Sequence, residues 1–138
     1  MNIVIVSNGP GLESIVSKFG HSSEWIPSLI NDSSINYKIL KSYENETCNI
    51  KDYDAFIITG SKYSVYDNLD WINNLKEFIN SIIFQDKLIL GICFGHQILA
   101  ECLGCRVGHN ELGWELGSYN INLTKEGLVH PLFQDISD

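Results

Sequence analysis

The run Lys87-Leu88-Ile89-Leu90 leads straight into Gly91-Ile92-Cys93-Phe94-Gly95-His96-Gln97. A strand-forming segment thus meets G-x-C-x-G, followed by a helical pattern, Gln97-Ile98-Leu99-Ala100-Glu101-Cys102-Leu103. Small residues at 91 and 95 permit a tight strand-to-helix turn that presents the side chain between them. This is the form of a nucleophile elbow, and the presented group is a thiol. At a helix N-terminus, unpaired N–H groups and the positive end of the dipole favour the anionic form of a thiol. The same letters also describe a structural cysteine in an ordinary β-turn-α unit.

A thiol that attacks an amide needs more than itself. It requires a base to manage its proton, N–H donors for the oxyanion, and a pocket for the rest of the substrate. A second strand, Ile57-Ile58-Thr59, also ends in a small-residue turn, Gly60-Ser61. A glycine there lets the backbone approach a reacting carbonyl closely. Gln97 follows Cys93 by four residues, about one helical turn, so its amide can face the same cleft.

The heptapeptide G-I-C-F-G-H-Q closely resembles the nucleophile motif of class I glutamine amidotransferases, triad-type enzymes that release ammonia from glutamine. The Thr59-Gly60-Ser61 turn is similar to the family's oxyanion loop. Ser64-Val65-Tyr66-Asp67, Asp70-Trp71-Ile72, Leu103-Gly104-Cys105-Arg106-Val107, Gly113-Trp114-Glu115-Leu116-Gly117 and His130-Pro131-Leu132-Phe133 resemble the branch that includes the amidotransferase part of GMP synthase. The resemblance implies Cys93 as nucleophile, the N–H groups of Gly60 and Phe94 as oxyanion donors, Gln97 at the substrate's amino-acid end, and Gly60 and Ser61 among the substrate-binding residues. It implies a glutamyl thioester on Cys93, with ammonia normally passed to a synthase partner or domain. Some relatives cleave γ-glutamyl peptide bonds with the same cysteine, and a non-catalytic glutamine-binding or regulatory fragment is a third reading.

The base is harder to find. The family's histidine and glutamate lie in a His-x-Glu motif well downstream of the cysteine. The four histidines here are His21, His96, His109 and His130, and His130-Pro131 is followed by Leu132 rather than Glu. None is assigned as base. The resemblance therefore implies that residues 1–138 form one amidotransferase domain lacking its C-terminal part, with catalytic competence undecided. A sheet without that part is expected to expose an apolar edge.

Bulk properties narrow the partners. The length of 138 residues suits one domain. The net charge of −8 argues against a nucleic-acid surface, which needs clustered Lys and Arg, and against docking on anionic membrane. No segment approaches the roughly 20 apolar residues of a membrane span. The start Met1-Asn2-Ile3-Val4-Ile5-Val6 has no basic leader pattern and reads as a first strand. Cytoplasm is the expected compartment, which argues against disulfides among Cys48, Cys93, Cys102 and Cys105. Cys102-Leu103-Gly104-Cys105 is formally C-x-x-C but lacks partners at zinc spacing. No metal or cofactor is expected, and the partner is a small molecule, glutamine or a γ-glutamyl compound.

The elements that must position these residues follow from periodicity. Strands are expected over residues 2–6, 36–40, 53–59 and 87–92. Leu12, Ile15, Val16 and Phe19 recur with helical spacing. Trp71, Ile72, Leu75, Phe78, Ile79 and Ile82 mark a helix over 70–84, with Asp70 as its expected N-cap. Gly95 to Leu103 forms the elbow helix. Beyond it, Trp114, Leu116, Tyr119, Ile121 and Leu123 suggest short antiparallel strands. Alternating strands and helices predict an α/β fold, a mostly parallel sheet with helices on both faces. The resemblance makes this a flavodoxin-like class I amidotransferase fold. Ligands bind outside the carboxyl ends of such strands, which puts Gly60-Ser61 and Cys93 on one edge.

Overall fold

The computed structural model describes residues 1–113, 115 and 117–134. The chain divides into two compact units, Met1–Gly108 and His109–Asp138.

In the first unit, β1 (Asn2–Ser7), β2 (Asn36–Lys41), β3 (Ala55–Ile58) and β4 (Leu88–Gly91) form one parallel sheet in the order β2-β1-β3-β4. Ile3 to Val6 are a continuous run of branched apolar residues and all four are buried, as a strand covered on both faces requires. Register pairs Val4 with Phe56 and Ile5 with Ile57, and Ile57 in turn with Leu90.

Two helices cover one face. α3 (Asp70–Phe84) buries Ile72, Leu75, Ile79 and Ile82, one stripe at helical spacing. α4 (Phe94–Cys102) buries Phe94, Gly95 and Ile98. Both pack with Val4, Val6, Leu40, Phe56 and Ile58 in a single apolar core. Each fully buried isoleucine there contributes about 1.5–3 kcal/mol relative to exposure. On the other face α2 (Ser22–Ile30) contacts β1 and β2. β4 lies at the sheet edge, where Leu88 is 66% exposed and Leu90 is also exposed.

Several expectations need correction. Leu69, not Asp70, holds the N-cap position of α3, and it makes no side-chain cap bond. Asp67 turns the preceding loop instead, accepting the Ser64 N–H at 2.9 Å, which leaves Asp70 in the first turn, where its charge faces the positive helix end. α2 was not anticipated because Pro27, a residue that normally interrupts helices, sits inside it. Reciprocal bonds at its start offset part of that cost: the Glu24 N–H donates to the His21 C=O at 2.9 Å, and the Glu24 carboxylate accepts the His21 N–H at 2.8 Å. α1 (Glu13–Phe19) forms at the expected place but buries none of its residues.

In the second unit, the described residues carry no strand. α5 (Lys125–Val129) is capped by Thr124, whose hydroxyl accepts the Gly127 N–H at 3.1 Å. A 3-10 turn follows at Pro131–Phe133. Of the residues expected to form a hairpin, Tyr119, Ile121 and Leu123 lie in no strand among the described residues, and Ile121 is 83% exposed. Alternation signals a strand only where a neighbour supplies the hydrogen bonds. Trp114 and Leu116, the other two residues of that expectation, lie outside the described residues.

Candidate active site

Three strands of the sheet deliver the site. β1, β3 and β4 run parallel, so Asn8, Thr59-Gly60 and Cys93 all emerge at their carboxyl ends.

The Cys93 turn is built from backbone constraints. Cys93 is the N-cap of α4, with φ 54° and ψ −114°. A non-glycine residue in that region costs about 1–3 kcal/mol, so its surroundings must hold it. Ile92 N–H donates to Ile58 C=O at 2.9 Å, Gly95 N–H to Ile92 C=O at 2.9 Å, and Gln97 N–H to Cys93 C=O at 3.1 Å. The two flanking glycines are required by contact. A Cβ on Gly95 would collide with the Ile58 carbonyl, and one on Gly91 would come within 2.6 Å of the His96 nitrogen. α4 can therefore sit directly on the ends of β3 and β4. The Cys93 side chain is left exposed, and its Sγ makes no hydrogen bond among the described residues.

Gly60 lies against this thiol. A Cβ placed on Gly60 would be 3.5 Å from Cys93 Cβ and 4.0 Å from Cys93 Sγ. Neither the Gly60 nor the Phe94 N–H donates to an acceptor among the described residues. The Phe94 side chain is buried beside Trp71, ring centres 5.9 Å apart, and Trp71 meets Tyr63 edge-on at 5.7 Å. This aromatic row ties the Cys93 turn to the loop that follows Gly60. Gln97 is exposed one turn into α4, and Ser61 Oγ accepts the Tyr63 N–H at 3.2 Å.

A buried polar network fixes the Gly60 turn from below. Asn8 Nδ2 donates to Thr59 C=O at 2.6 Å, and Asn8 N–H donates to Thr59 Oγ1 at 3.2 Å. The Ser42 hydroxyl lies within donating distance of both Asn8 Oδ1, at 2.9 Å, and Ser7 C=O, at 3.0 Å. All four residues are buried. They stitch together the ends of β2, β1 and β3. Sequence reasoning placed Thr59 in the oxyanion-loop turn but passed over Asn8 and Ser42 as its partners. The available signal was a polar residue ending each of three apolar strands, where a buried polar group has to find a partner.

The chain matches the family described as glutamine amidotransferase class-I over residues 21–136. It belongs to that family. A glutamine amidotransferase-like protein of Schizosaccharomyces pombe is 32% identical over 91% of this chain and 57% of its own length. Gamma-glutamyl peptidase 4 of Arabidopsis thaliana is 31% identical over 87% of this chain and 49% of its own. The fold agrees with that of a crystal structure of a glutamine amidotransferase from Thermotoga maritima, with a TM-score of 0.74 at 19% identity, covering 99% of this chain and 56% of that one. The chain thus spans about half the length of these relatives.

Against this family background the histidines are informative. The His21 backbone pairs with Glu24 at the start of α2, and His130 Nδ1 accepts the Leu132 N–H at 3.2 Å. His96 is exposed on α4, and none of the described hydrogen bonds joins a histidine to Cys93. The other cysteines differ from Cys93. Burial pushes the thiol of Cys48 up from its ordinary value. Burial also raises Cys102, with Lys76 opposing and Glu101 adding to the rise. No group of three or more His, Cys, Asp or Glu side chains suited to a metal occurs among the described residues. No helix among them is long and apolar enough to cross a membrane.

Proposed function

We propose that Cys93 attacks the γ-carboxamide of glutamine or of a γ-glutamyl compound. The observation that carries this is the strained, exposed Cys93 with the unspent N–H groups of Gly60 and Phe94 beside it. In the first half-reaction the thiolate forms a C–S bond to the γ-carbonyl carbon. Negative charge moves to the oxygen, which the two N–H groups receive. The C–N bond then breaks and the nitrogen leaves with a proton, as ammonia or as an amine. In the second half, water attacks the thioester, the C–S bond breaks, and glutamate and the thiolate are released. Gln97 holds the substrate's amino-acid end, and Ser61 lies beside the bound substrate. Each oxyanion donor contributes roughly 100- to 1,000-fold in rate. Expulsion of the nitrogen needs a proton, and the described hydrogen bonds connect no acid–base side chain to Cys93, so solvent water supplies it and attack on the carbonyl is the step these residues support most directly.

The likeness to a γ-glutamyl peptidase favours a second substrate on the same cysteine, a γ-glutamyl peptide in place of glutamine. Delivery of ammonia to a synthase remains the expected use of the glutamine reaction, with the cytoplasm as its setting. Intact-mass measurement after rapid acid quenching tests the proposal. Incubation with glutamine or a γ-glutamyl dipeptide should add one γ-glutamyl group, mapped to Cys93 and absent from Cys93→Ala. An adduct on another cysteine, or none with either compound, overturns it.

A further inference from the structure

β1 and β3 are hydrogen-bonded neighbours, yet their chains leave across opposite faces of the sheet, β1 into α1 and α2 and β3 into α3. Such a switch point opens a crevice beyond the strand ends, the place where open α/β sheets bind ligands. Here the crevice has a volume of about 160 Å³ and is walled by Gly9, Ile15, Val16, Trp25, Ser61 and Lys62. Gly60 and Ser61 belong to its rim, and Gly60 also backs onto Cys93, so the crevice adjoins the candidate active site through Gly60.

We propose that this crevice receives the group attached to the scissile γ-amide nitrogen. Its chemistry selects an amine with an apolar or aromatic side chain and a free carboxylate, as in a γ-glutamyl dipeptide. The proposal rests on the Cys93 reading above and assigns its leaving-group side.

Three observations support it. Size comes first: a single water-sized group needs about 10–15 Å³, so ammonia would leave most of this space unused, whereas an amino-acid side chain would fill it. The second is a rigid aromatic wall. The Trp25 indole N–H donates to Phe19 C=O at 2.6 Å, which holds the ring in place while 40% of the residue stays exposed. Ile15 and Val16 extend the same apolar surface. Charge is the third. In a chain of net charge −8, no aspartate or glutamate lines the crevice, and its one cation is Lys62. Lys62 makes no ion pair among the described residues, and its Nζ sits 5.3 Å from the Tyr63 ring centre. It is thus available to a carboxylate. His21 also lines the crevice, and the nearby Glu24 carboxylate is occupied by the His21 N–H.

The test is competition for Cys93. A diazoketone analogue of glutamine labels the cysteine, and protection is titrated with glutamine, γ-glutamylphenylalanine and the carboxamide of that dipeptide. The dipeptide should protect at concentrations about tenfold lower than glutamine does, and amidation should remove most of that advantage. Lys62→Met should abolish the difference between dipeptide and carboxamide, and Trp25→Ala should lower the preference for dipeptide over glutamine by about tenfold. Labelling that glutamine blocks but the dipeptide does not favour, or preferences unmoved in both variants, overturns the crevice and leaves the Cys93 reading standing. Labelling of Cys93 that neither compound blocks overturns both.

Discussion

The two ends of α4 carry the same residue type and opposite chemistry. At the N-terminal end, Cys93 is exposed, strained to φ 54°, and without a hydrogen bond at Sγ among the described residues. At the C-terminal end, Cys102 is half-buried, its Sγ lies 3.8 Å from Lys76 C=O, and burial pushes its thiol up. Unpaired N–H groups gather at one end of a helix and unpaired carbonyls at the other, so the two thiols meet opposite backbone groups. The Lys76–Glu101 ion pair, 2.7 Å long, joins α3 to α4 at the second end and suits a structural role. The reactivity of a cysteine is therefore read from where the helix begins, and the C-x-x-C spacing at the far end adds nothing to it.

The sharpest way to break this contrast is to remove the presented thiol. Cys93→Ser should abolish covalent labelling by the glutamine analogue, read by mass spectrometry, while Cys102→Ser should retain it. Next in size is the glycine that seats the N-terminal end. Gly95→Ala drives a methyl into the Ile58 carbonyl and should destabilise the protein by about 3 kcal/mol or more in denaturant unfolding. Gly104, at the other end, has nothing within 4 Å of an added Cβ.

Support from beneath the N-terminal end is third. Asn8→Ala strands the partners of a buried network and should cost about 1–3 kcal/mol, with slower Cys93 labelling as the Gly60 turn loosens. The smallest effect concerns the pH dependence at the C-terminal end. A thiol raised by burial stays protonated through the ordinary thiol range. Alkylation of Cys102 should therefore lag at neutral pH and climb only as pH passes above that range, measured by peptide-resolved iodoacetamide labelling. A Cys102 rate that climbs at or below the ordinary thiol pH would contradict it.

Much of this arrangement was legible in the chain because it depends on local rules. The elbow declares itself through Gly91 and Gly95 flanking Cys93, and the contacts those glycines make show why no larger residue serves. The apolar stripe of α3 marks a helix that runs from Asp70 to Phe84, because period and burial agree there. What failed depends on distant partners. Leu12, Ile15 and Phe19 have helical spacing yet remain exposed, since periodicity reports a face and not what covers it. Ile121 and Leu123 alternate yet lie in no strand among the described residues. The Asn8–Ser42–Thr59 network joins residues 34 and 51 positions apart, a separation no local pattern encodes. The crevice at the β1–β3 switch point required the strand order itself.

The most direct test of the contrast between the helix ends is the alkylation rate of each of the four cysteines, resolved by peptide mapping, with and without glutamine. Cys93 should react fastest and be the one that glutamine protects, with Cys48 and Cys102 slowest. Four similar rates, or protection spread evenly over the cysteines, would contradict the claim that α4 presents Cys93 in a glutamine pocket.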